Sequence, residues 1–259
     1  MVTVVVALQL VAGVVSVFTV SAPEAVAVEA PPPPVALPVP EPAIEEVAAE
    51  PLVAPPPEPF YGPTDAADAI VPRVALFQAP GAPTPFKTLT NPTFENVPLI
   101  LHVLEAQGDW LHVRVNTRPN GARAWIRRAD VTMRRVPNRI VIEVGARRLK
   151  VVSGSQVLAE HPVAVGAPGT PTPLGEFYVD ATVNLKPGGP YGVGQLSVSG
   201  FSEVLKSFGG GIGQIAIHGT SNPRSVGGAV SNGCIRMLNP AWLLVSALAP
   251  NGTPVTIKA

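Results

Sequence analysis

The chain has 259 residues, 18 basic and 18 acidic side chains, and a single cysteine. A lone cysteine excludes an internal disulfide, and four histidines without ligand-like spacing predict no metal site. The sequence has neither a phosphate-binding Gly-Lys-Ser/Thr motif nor a dinucleotide fingerprint, so we predict no cofactor. The length allows one large or two small domains.

Residues 2–20 contain no charged side chain and are mostly Val, Ala and Leu. This run is long enough for a membrane-crossing helix or a secretory signal peptide, although the usual Lys/Arg segment before it is missing. We therefore assign residues 1–27 to a signal peptide or membrane anchor. Either assignment predicts export to the periplasm or cell wall, as a secreted or an anchored protein.

Residues 28–66 are predicted to be a disordered linker. Fourteen prolines fall within residues 23–63, and residues 1–65 hold eight acidic side chains but no Lys or Arg. Such a composition favours extended polyproline II over a packed core. We predict an acidic spacer, with a proline-rich ligand for another domain as the alternative.

Residues 67–136 predict a small β-barrel. Short runs of apolar and β-branched residues alternate with turns at Pro80-Gly81, Gly108-Asp109 and Pro119-Asn120-Gly121. Residues 66–259 have a net charge of +8, from eighteen basic and ten acidic side chains. Anionic wall polymers fit this charge, and an ordinary solvated surface fits it equally. No recognition helix or zinc spacing accompanies it, so we predict no nucleic-acid partner.

Residues 137–259 predict a second, mostly β unit. A hairpin is expected around Gly145-Ala146, and the proline-rich run 167–175 is expected to act as scaffold before a strand at 176–180. Residues 201–208 favour a short helix. Asn239-Pro240 favours the start of a second helix that ends near Leu248. Residues 254–257 predict a closing strand.

The sequence from Ile215 to Met237 contains the residues with the clearest chemistry. The alternation before His218 predicts a strand with its isoleucines on one face and the imidazole on the other. Asn232-Gly233 is a strong turn dipeptide, and it would present Cys234 at the tip of a tight turn.

A nearby imidazole can accept the proton of a thiol and so generate the thiolate that attacks. The N–H groups of Gly233 and Cys234 could receive the oxyanion that forms during acyl transfer. The alternative is a buried, inert cysteine beside a core histidine. Export favours the reactive interpretation, because the lone thiol has no internal disulfide partner.

The run H-G-T followed by S-N-G-C-I-R-M resembles the L,D-transpeptidases of the YkuD type, bacterial enzymes that remodel peptidoglycan. The resemblance implies Cys234 as the acylated nucleophile and His218 as its base. The runs G-D-W-L-H-V-R-V and R-P-N-G-A-R-A-W-I-R resemble the bacterial SH3-like domains that precede such catalytic domains. The fold implied is an SH3-like β-barrel at residues 67–136 and a YkuD-type β-sandwich with one or two short helices at 137–259.

The resemblance also implies a reaction. Cys234 would release D-alanine from a peptidoglycan stem peptide, and the thioester would be captured by a neighbouring stem to give a 3→3 cross-link. The Gly219 carbonyl is expected to orient the imidazole, and Tyr191, Ser231, Asn232 and Arg236 are expected to bind substrate. We expect a monomer that carbapenems inhibit.

Alternatives remain at this point. The family commonly has a second histidine just before the Gly-Cys pair, where this chain has Asn232. Water could then replace the amine as acceptor, which would make the chain an L,D-carboxypeptidase or wall hydrolase. A non-catalytic wall-binding protein is the third possibility. The SH3-like unit could bind wall or serve as a rigid platform, and Tyr191 could be an ordinary surface tyrosine.

Overall fold

Short strands dominate the structure, a computed structural model that describes residues 59–259. In chain order they are β1 (Thr64–Ala69), β2 (Arg73–Leu76), β3 (Lys87–Thr90), β4 (Ile100–Gln107), β5 (Trp110–Arg114), β6 (Arg123–Arg127), β7 (Val131–Val136), β8 (Arg139–Glu143), β9 (Arg148–Ser153), β10 (Gln156–Pro162), β11 (Val165–Gly166), β12 (Gly175–Gly189), β13 (Gly192–Phe201), β14 (Gln214–His218), β15 (Ala229–Ser231), β16 (Ile235–Arg236) and β17 (Pro254–Lys258). The described residues contain one α-helix, α1 (Asn239–Leu248), and two 3-10 turns at Arg128–Asp130 and Pro223–Ser225. The predicted mostly β class is confirmed.

The predicted signal peptide or anchor, residues 1–27, lies outside the described residues, as does most of the predicted linker, residues 28–66. No helix within residues 59–259 is long and apolar enough to cross a membrane. The prediction of disorder is wrong from Tyr61 onward, because Tyr61 exchanges two backbone hydrogen bonds with Gly154 (2.9 and 3.0 Å) and β1 begins at Thr64. Its two acidic residues and short alanines hid this strand from sequence analysis.

The N-terminal sheet has five strands in the order β6-β5-β4-β1-β7, with β2 and β3 paired beside it. The pairs within the five-stranded sheet are all antiparallel. Its core is built from small and branched apolar side chains, among them Leu76, Leu101, Leu111 and Ile126, each fully buried. The SH3-like resemblance of this sheet stays a prediction.

The C-terminal sheet has eight strands in the order β10-β9-β8-β17-β12-β13-β14-β16, and a separate pair joins β11 to β15. The pairs β8–β17 and β14–β16 are parallel, and the other neighbours are antiparallel. Helix α1 packs the fully buried Trp242 and Val245 into the core of this sheet. The predicted hairpin, the helix from Asn239 and the closing strand are present at β8–β9, α1 and β17.

The helix predicted at residues 201–208 is wrong. Phe201 ends β13, and the residues after it form bends and an isolated bridge between Phe208 and Gly211. The guanidinium of Arg118, on the N-terminal sheet side, donates to the carbonyls of Ser202 (2.8 Å) and Leu205 (3.2 Å). These contacts and a turn in which Ser202 Oγ accepts the Leu205 N–H (3.0 Å) replace helical bonding. We call residues 202–213 the flap.

Polar side chains join the two sheets. Asn120 pairs with the backbone of Phe201 through both its amide nitrogen and its oxygen, each at 2.8 Å. Asn116 donates to the carboxylate of Asp180 on β12, and Gln214 donates to the same oxygen at 2.8 Å. The other carboxylate oxygen of Asp180 is buried without a hydrogen-bond partner among the described residues. The junction therefore depends on a carboxyl group that is only half satisfied.

The pKa of Asp180 is raised to about 7, mainly by burial and further by Glu95, against a lowering by the Gln214 hydrogen bond. A carboxyl that binds its proton more tightly in the native state makes the fold less stable as pH rises from about 4 to about 7. An asparagine at position 180 keeps a side-chain oxygen that can accept from Asn116 and Gln214, and it has no proton to gain or lose in this pH range. We therefore expect Asp180→Asn to gain thermal stability relative to the wild type across that range.

Melting temperatures at pH 4.5, 6 and 8 test this expectation. Asp109→Asn makes the same change at an exposed turn and should show a pH-independent difference from the wild type. A parallel pH dependence for the wild type and Asp180→Asn would contradict the assignment.

Candidate active site

Strands β14 and β16 run parallel, with Ile217 opposite Ile235 and His218 opposite Arg236. Ile215 and Ile217 are buried in the core, as the alternation in the sequence predicted, and Ile235 is buried with them. Because successive side chains of a strand point to opposite faces, His218 and Arg236 project from the other face. Cys234 precedes Arg236 by two residues and shares that face. The strand pairing therefore brings the predicted nucleophile and base together.

Two contacts fix the imidazole of His218. Its Nδ1 lies 2.6 Å from the carbonyl oxygen of Gly219, and the ring of Tyr191 packs at a centroid distance of 4.4 Å and an interplanar angle of 44°. A hydrogen bond to a carbonyl requires Nδ1 to carry the proton, so the neutral ring leaves Nε2 as the proton acceptor. The Gly219 carbonyl therefore lies where the predicted orienting role needs it.

The turn before Cys234 is held by its own polar groups. Ser231 Oγ donates to the Cys234 carbonyl (2.6 Å) and accepts the Gly233 N–H (3.1 Å). Gly233 has φ +108°, a backbone conformation that side chains rarely adopt. Ser231 is therefore buried inside the turn and does not face substrate. The Gly233 N–H is already bonded, which corrects its predicted role as an oxyanion donor.

The proline-rich run between β11 and β12 supports this turn from below. Thr172 Oγ1 accepts the Gly166 N–H (2.9 Å) and donates to the Gly233 carbonyl (3.0 Å). Thr170 Oγ1 donates to the Ser231 carbonyl (2.9 Å). Sequence analysis identified the run as scaffold but did not identify these two hydroxyls.

Asn239, predicted with Pro240 to start a helix, is the first residue of α1. Its Oδ1 accepts the backbone N–H of Thr220 (3.0 Å), just after the histidine. A Cβ at either Gly192 or Gly219 would clash with this oxygen. The two glycines are therefore required for Asn239 to reach the segment that positions His218.

Burial keeps the pair neutral. It is the main cause that lowers the pKa of His218 to about 4, and the nearby Arg236 lowers it further against the Gly219 hydrogen bond. Burial also raises the pKa of the Cys234 thiol, while a backbone hydrogen bond from Ala216 and the charge of Arg236 act in the opposite direction. Both shifts favour a thiol beside a neutral imidazole over a thiolate–imidazolium pair before substrate binds.

Two cavities meet at Cys234. One, of about 180 Å³, is bounded by β13, β14, the flap and the turn of residues 93–97, and we call it the β13 cavity. The other, of about 210 Å³, includes His218, Thr220 and Arg236, and we call it the His218 cavity. The residues common to both are Tyr191, Phe208, Asn232 and Cys234. The half-buried sulfur can therefore be approached from two directions.

The predicted substrate-binding residues divide in the structure. Tyr191, at the tip of the β12–β13 hairpin, and the exposed Asn232 line both cavities, whereas Arg236 lines the His218 cavity alone. Burial is the first cause that raises the pKa of Tyr191 and Cys234 the second, so the phenol lies close to the sulfur. Ser231 lines neither cavity. Phe208, a flap residue that no sequence motif indicated, lines both cavities.

The other histidines are not part of this site. His102 is buried beside Tyr178, and its pKa is lowered to about 3, chiefly by burial. His112 stacks on Trp125 at 4.8 Å. Within residues 59–259 no group of three His, Cys, Asp or Glu side chains could hold a metal ion.

Residues 137–257 match the family model of the L,D-transpeptidase catalytic domain, YkuD. The chain is 42% identical over 123 residues to YkuD of Bacillus subtilis strain 168, a match that covers 48% of this chain and 67% of that protein. The chain belongs to the L,D-transpeptidase family. The YkuD of Bacillus licheniformis is 41% identical over 124 residues, which is 47% of this chain and 66% of that protein.

Solved L,D-transpeptidase structures are more distant. The L,D-transpeptidase from Mycobacterium smegmatis is 15% identical and covers 62% of this chain and 90% of its own, with a TM-score of 0.40. The catalytic domain of the Enterococcus faecium L,D-transpeptidase is 19% identical, and the match covers 48% of this chain and 98% of that domain, with a TM-score of 0.35. The N-terminal sheet lies outside the residues that match the L,D-transpeptidase family model.

Thr172→Val tests the support of the catalytic turn. Valine keeps the shape of threonine but leaves the Gly166 N–H and the Gly233 carbonyl without their partner, at a cost of about 1–3 kcal/mol. We expect a lower melting temperature and a changed rate of iodoacetamide alkylation at Cys234. Thr132→Val, at an exposed position of β7, is the matched control. Unchanged stability and alkylation in Thr172→Val would contradict this role.

The neutral pair predicts a specific pH profile for thiol alkylation. Because the pKa of Cys234 is raised and that of His218 is lowered, the alkylation rate should rise steadily through alkaline pH without an acidic plateau. His218→Asn should keep this steady profile while losing acyl transfer. A plateau between pH 5 and 7 that disappears in His218→Asn would show a thiolate–imidazolium pair instead.

Proposed function

We propose that this chain is a peptidoglycan L,D-transpeptidase that forms 3→3 cross-links through a Cys234 acyl-enzyme. The supporting observation is the placement of Cys234 beside His218, on the outer face of β14 and β16, where two cavities meet within the family-matched domain. Membership of the family supplies the substrate class, peptidoglycan stem peptides. We assign a residue to each step from this placement.

In the first half-reaction, Cys234 attacks the carbonyl between the third residue of a tetrapeptide stem and its terminal D-alanine. His218 Nε2 takes the thiol proton as the carbon–sulfur bond forms, which avoids a free thiolate in a site whose burial disfavours it. The same proton then passes to the leaving nitrogen as the carbon–nitrogen bond breaks. D-alanine departs, and a thioester remains on Cys234.

The developing oxyanion needs donors. The Gly233 N–H is used by Ser231, whereas the Cys234 N–H makes no hydrogen bond to the described residues and is available. Arg236 has no carboxylate partner among residues 59–259 and lines the His218 cavity. Its planar guanidinium suits the terminal carboxylate of the donor stem.

In the second half-reaction, the side-chain amine of a neighbouring stem attacks the thioester. The nitrogen loses a proton to His218, the carbon–sulfur bond breaks, and the proton returns to sulfur. Water in place of the amine would give an L,D-carboxypeptidase. Asn232, exposed at the rim of both cavities, supports this second candidate function. An asparagine cannot take a proton from the attacking amine, as a histidine at this position could.

Peptidoglycan, the proposed substrate, lies outside the cytoplasm. The apolar residues 2–20 are consistent with export, and we propose a periplasmic or wall location on that basis.

Intact-protein mass spectrometry tests the proposal. After incubation with a tetrapeptide stem or a carbapenem, the wild type should gain one acyl mass, and Cys234→Ala should gain none. Glu105→Gln, an exposed change in the N-terminal sheet, should acylate normally. Released products then separate the two candidates, since dimers indicate transfer and trimmed monomers indicate hydrolysis. Acylation that persists in Cys234→Ala would overturn the proposal.

A further inference from the structure

The two cavities at Cys234 have opposite charge. Among the described residues that line the His218 cavity, Arg236 is the only Lys, Arg, Asp or Glu. Among those that line the β13 cavity, Glu95 is the only one, and the rest are apolar or neutral polar side chains and glycines. Anionic groups of a substrate are therefore favoured in the cavity with Arg236, and cationic groups in the cavity with Glu95.

Glu95 comes from the N-terminal sheet, outside the matched catalytic domain. It lies in a tight turn between β3 and β4, closed by a hydrogen bond from the Thr93 N–H to the Val97 carbonyl (2.8 Å). The side chain of Asn91 anchors the base of the turn to the carbonyl of Ala69 (2.9 Å) and to the N–H of Leu99 (3.0 Å). The turn therefore presents Glu95 at a defined edge of the cavity.

The carboxylate of Glu95 has no cationic partner. No Lys, Arg or His of residues 59–259 lies within 4.0 Å of it. Glu95 is also near enough to Asp180 to add to the rise in its pKa, and Gln214, which donates to Asp180, lines the same cavity. The entrance of the β13 cavity is therefore electronegative without compensation, and its interior near Cys234 is uncharged.

We infer that Glu95 selects an amine-bearing acceptor stem, by drawing its ammonium group into the β13 cavity so that the thioester is aminolysed rather than hydrolysed. This inference rests on the proposed function and names the substrate charge that one of its cavities prefers. The donor, which ends in a carboxylate beside the scissile bond, is assigned to the His218 cavity by Arg236.

The uncharged interior has its own role in this step. An ammonium that moves from the entrance toward Cys234 leaves water and the Glu95 charge behind, which favours loss of a proton to solvent. The neutral nitrogen attacks the thioester carbonyl, the carbon–nitrogen bond forms, and the carbon–sulfur bond breaks. The remaining excess proton passes through His218 to sulfur, so the thiol is regenerated.

The experiment measures how the acyl-enzyme partitions. Wild type, Glu95→Gln, Glu95→Lys and the control Glu105→Gln receive a tetrapeptide donor and a synthetic tripeptide acceptor whose third residue has a side-chain amine. Mass spectrometry gives the ratio of cross-linked dimer to hydrolysed donor, and D-alanine release gives the acylation rate. Because Glu95 is exposed, its effect is screened, and we expect Glu95→Gln to lower the ratio about two- to five-fold.

The KM for the acceptor, the acylation rate and the effect of salt together show whether the charge of Glu95 is responsible. The apparent KM for the acceptor should rise in Glu95→Gln and further in Glu95→Lys, with acylation rates within about two-fold of the wild type. Added KCl should lower the wild-type ratio towards that of Glu95→Gln and leave Glu95→Gln itself unchanged. Normal acylation with an unaltered ratio in Glu95→Gln overturns the inference alone. Absence of acylation in the wild type overturns the proposed function and the inference with it.

Discussion

The backbone pairing of β14 with β16 determines where Cys234, His218 and Arg236 lie relative to one another. Only two residue pairs define it, and it occurs at the edge of the C-terminal sheet. A shift of one residue would turn Cys234 into the core and expose Ile235, so the register must be fixed elsewhere. Ala164 bonds the backbone of Arg236 on its other side, and Trp242 Nε1 donates to the Ile217 carbonyl (3.1 Å). Helix α1 thereby holds the active strand in place from within the core.

Burial is the constraint that this placement imposes on the chemistry. It makes the imidazole a weaker base and the thiol a weaker acid, so proton transfer between them is unfavourable at rest. Burial raises the free energy of a thiolate–imidazolium pair before substrate binds. It does not oppose a step in which the proton moves while the carbon–sulfur bond forms, because no free thiolate is then needed. In the proposed reaction, negative charge would develop on sulfur only as it attacks a carbonyl in the cavity. Arg236 and the Ala216 backbone offset part of the cost of negative charge on sulfur.

Much of the site could be predicted from local sequence. The alternation before His218, the Asn232-Gly233 turn, the β8–β9 hairpin and the closing strand β17 are features of neighbouring residues, and the structure has them where the pattern indicated. Strand β12 continues to Gly189, beyond the predicted end at residue 180, and β13 was not predicted. The failures have a different origin. The flap is not helical, because the guanidinium of Arg118, more than eighty residues earlier, donates hydrogen bonds to its backbone carbonyls. The Gly233 N–H and Ser231 serve the turn itself, which only the three-dimensional hydrogen bonding shows.

Glu95 and Phe208 could not be predicted either, because no residue near them in sequence indicates that they lie close to Cys234. Both line the β13 cavity, and the N-terminal sheet controls both, through the turn of residues 93–97 and through the Arg118 contacts to the flap. The sheet is therefore part of the wall of the site as well as a neighbour of the catalytic domain. Changes in its loops can alter charge and shape at the entrance without disturbing β14, β16 or α1. In the proposed reaction, acceptor preference would therefore vary independently of the thiol–imidazole pair, because Glu95 and the Cys234–His218 pair are held by different parts of the fold.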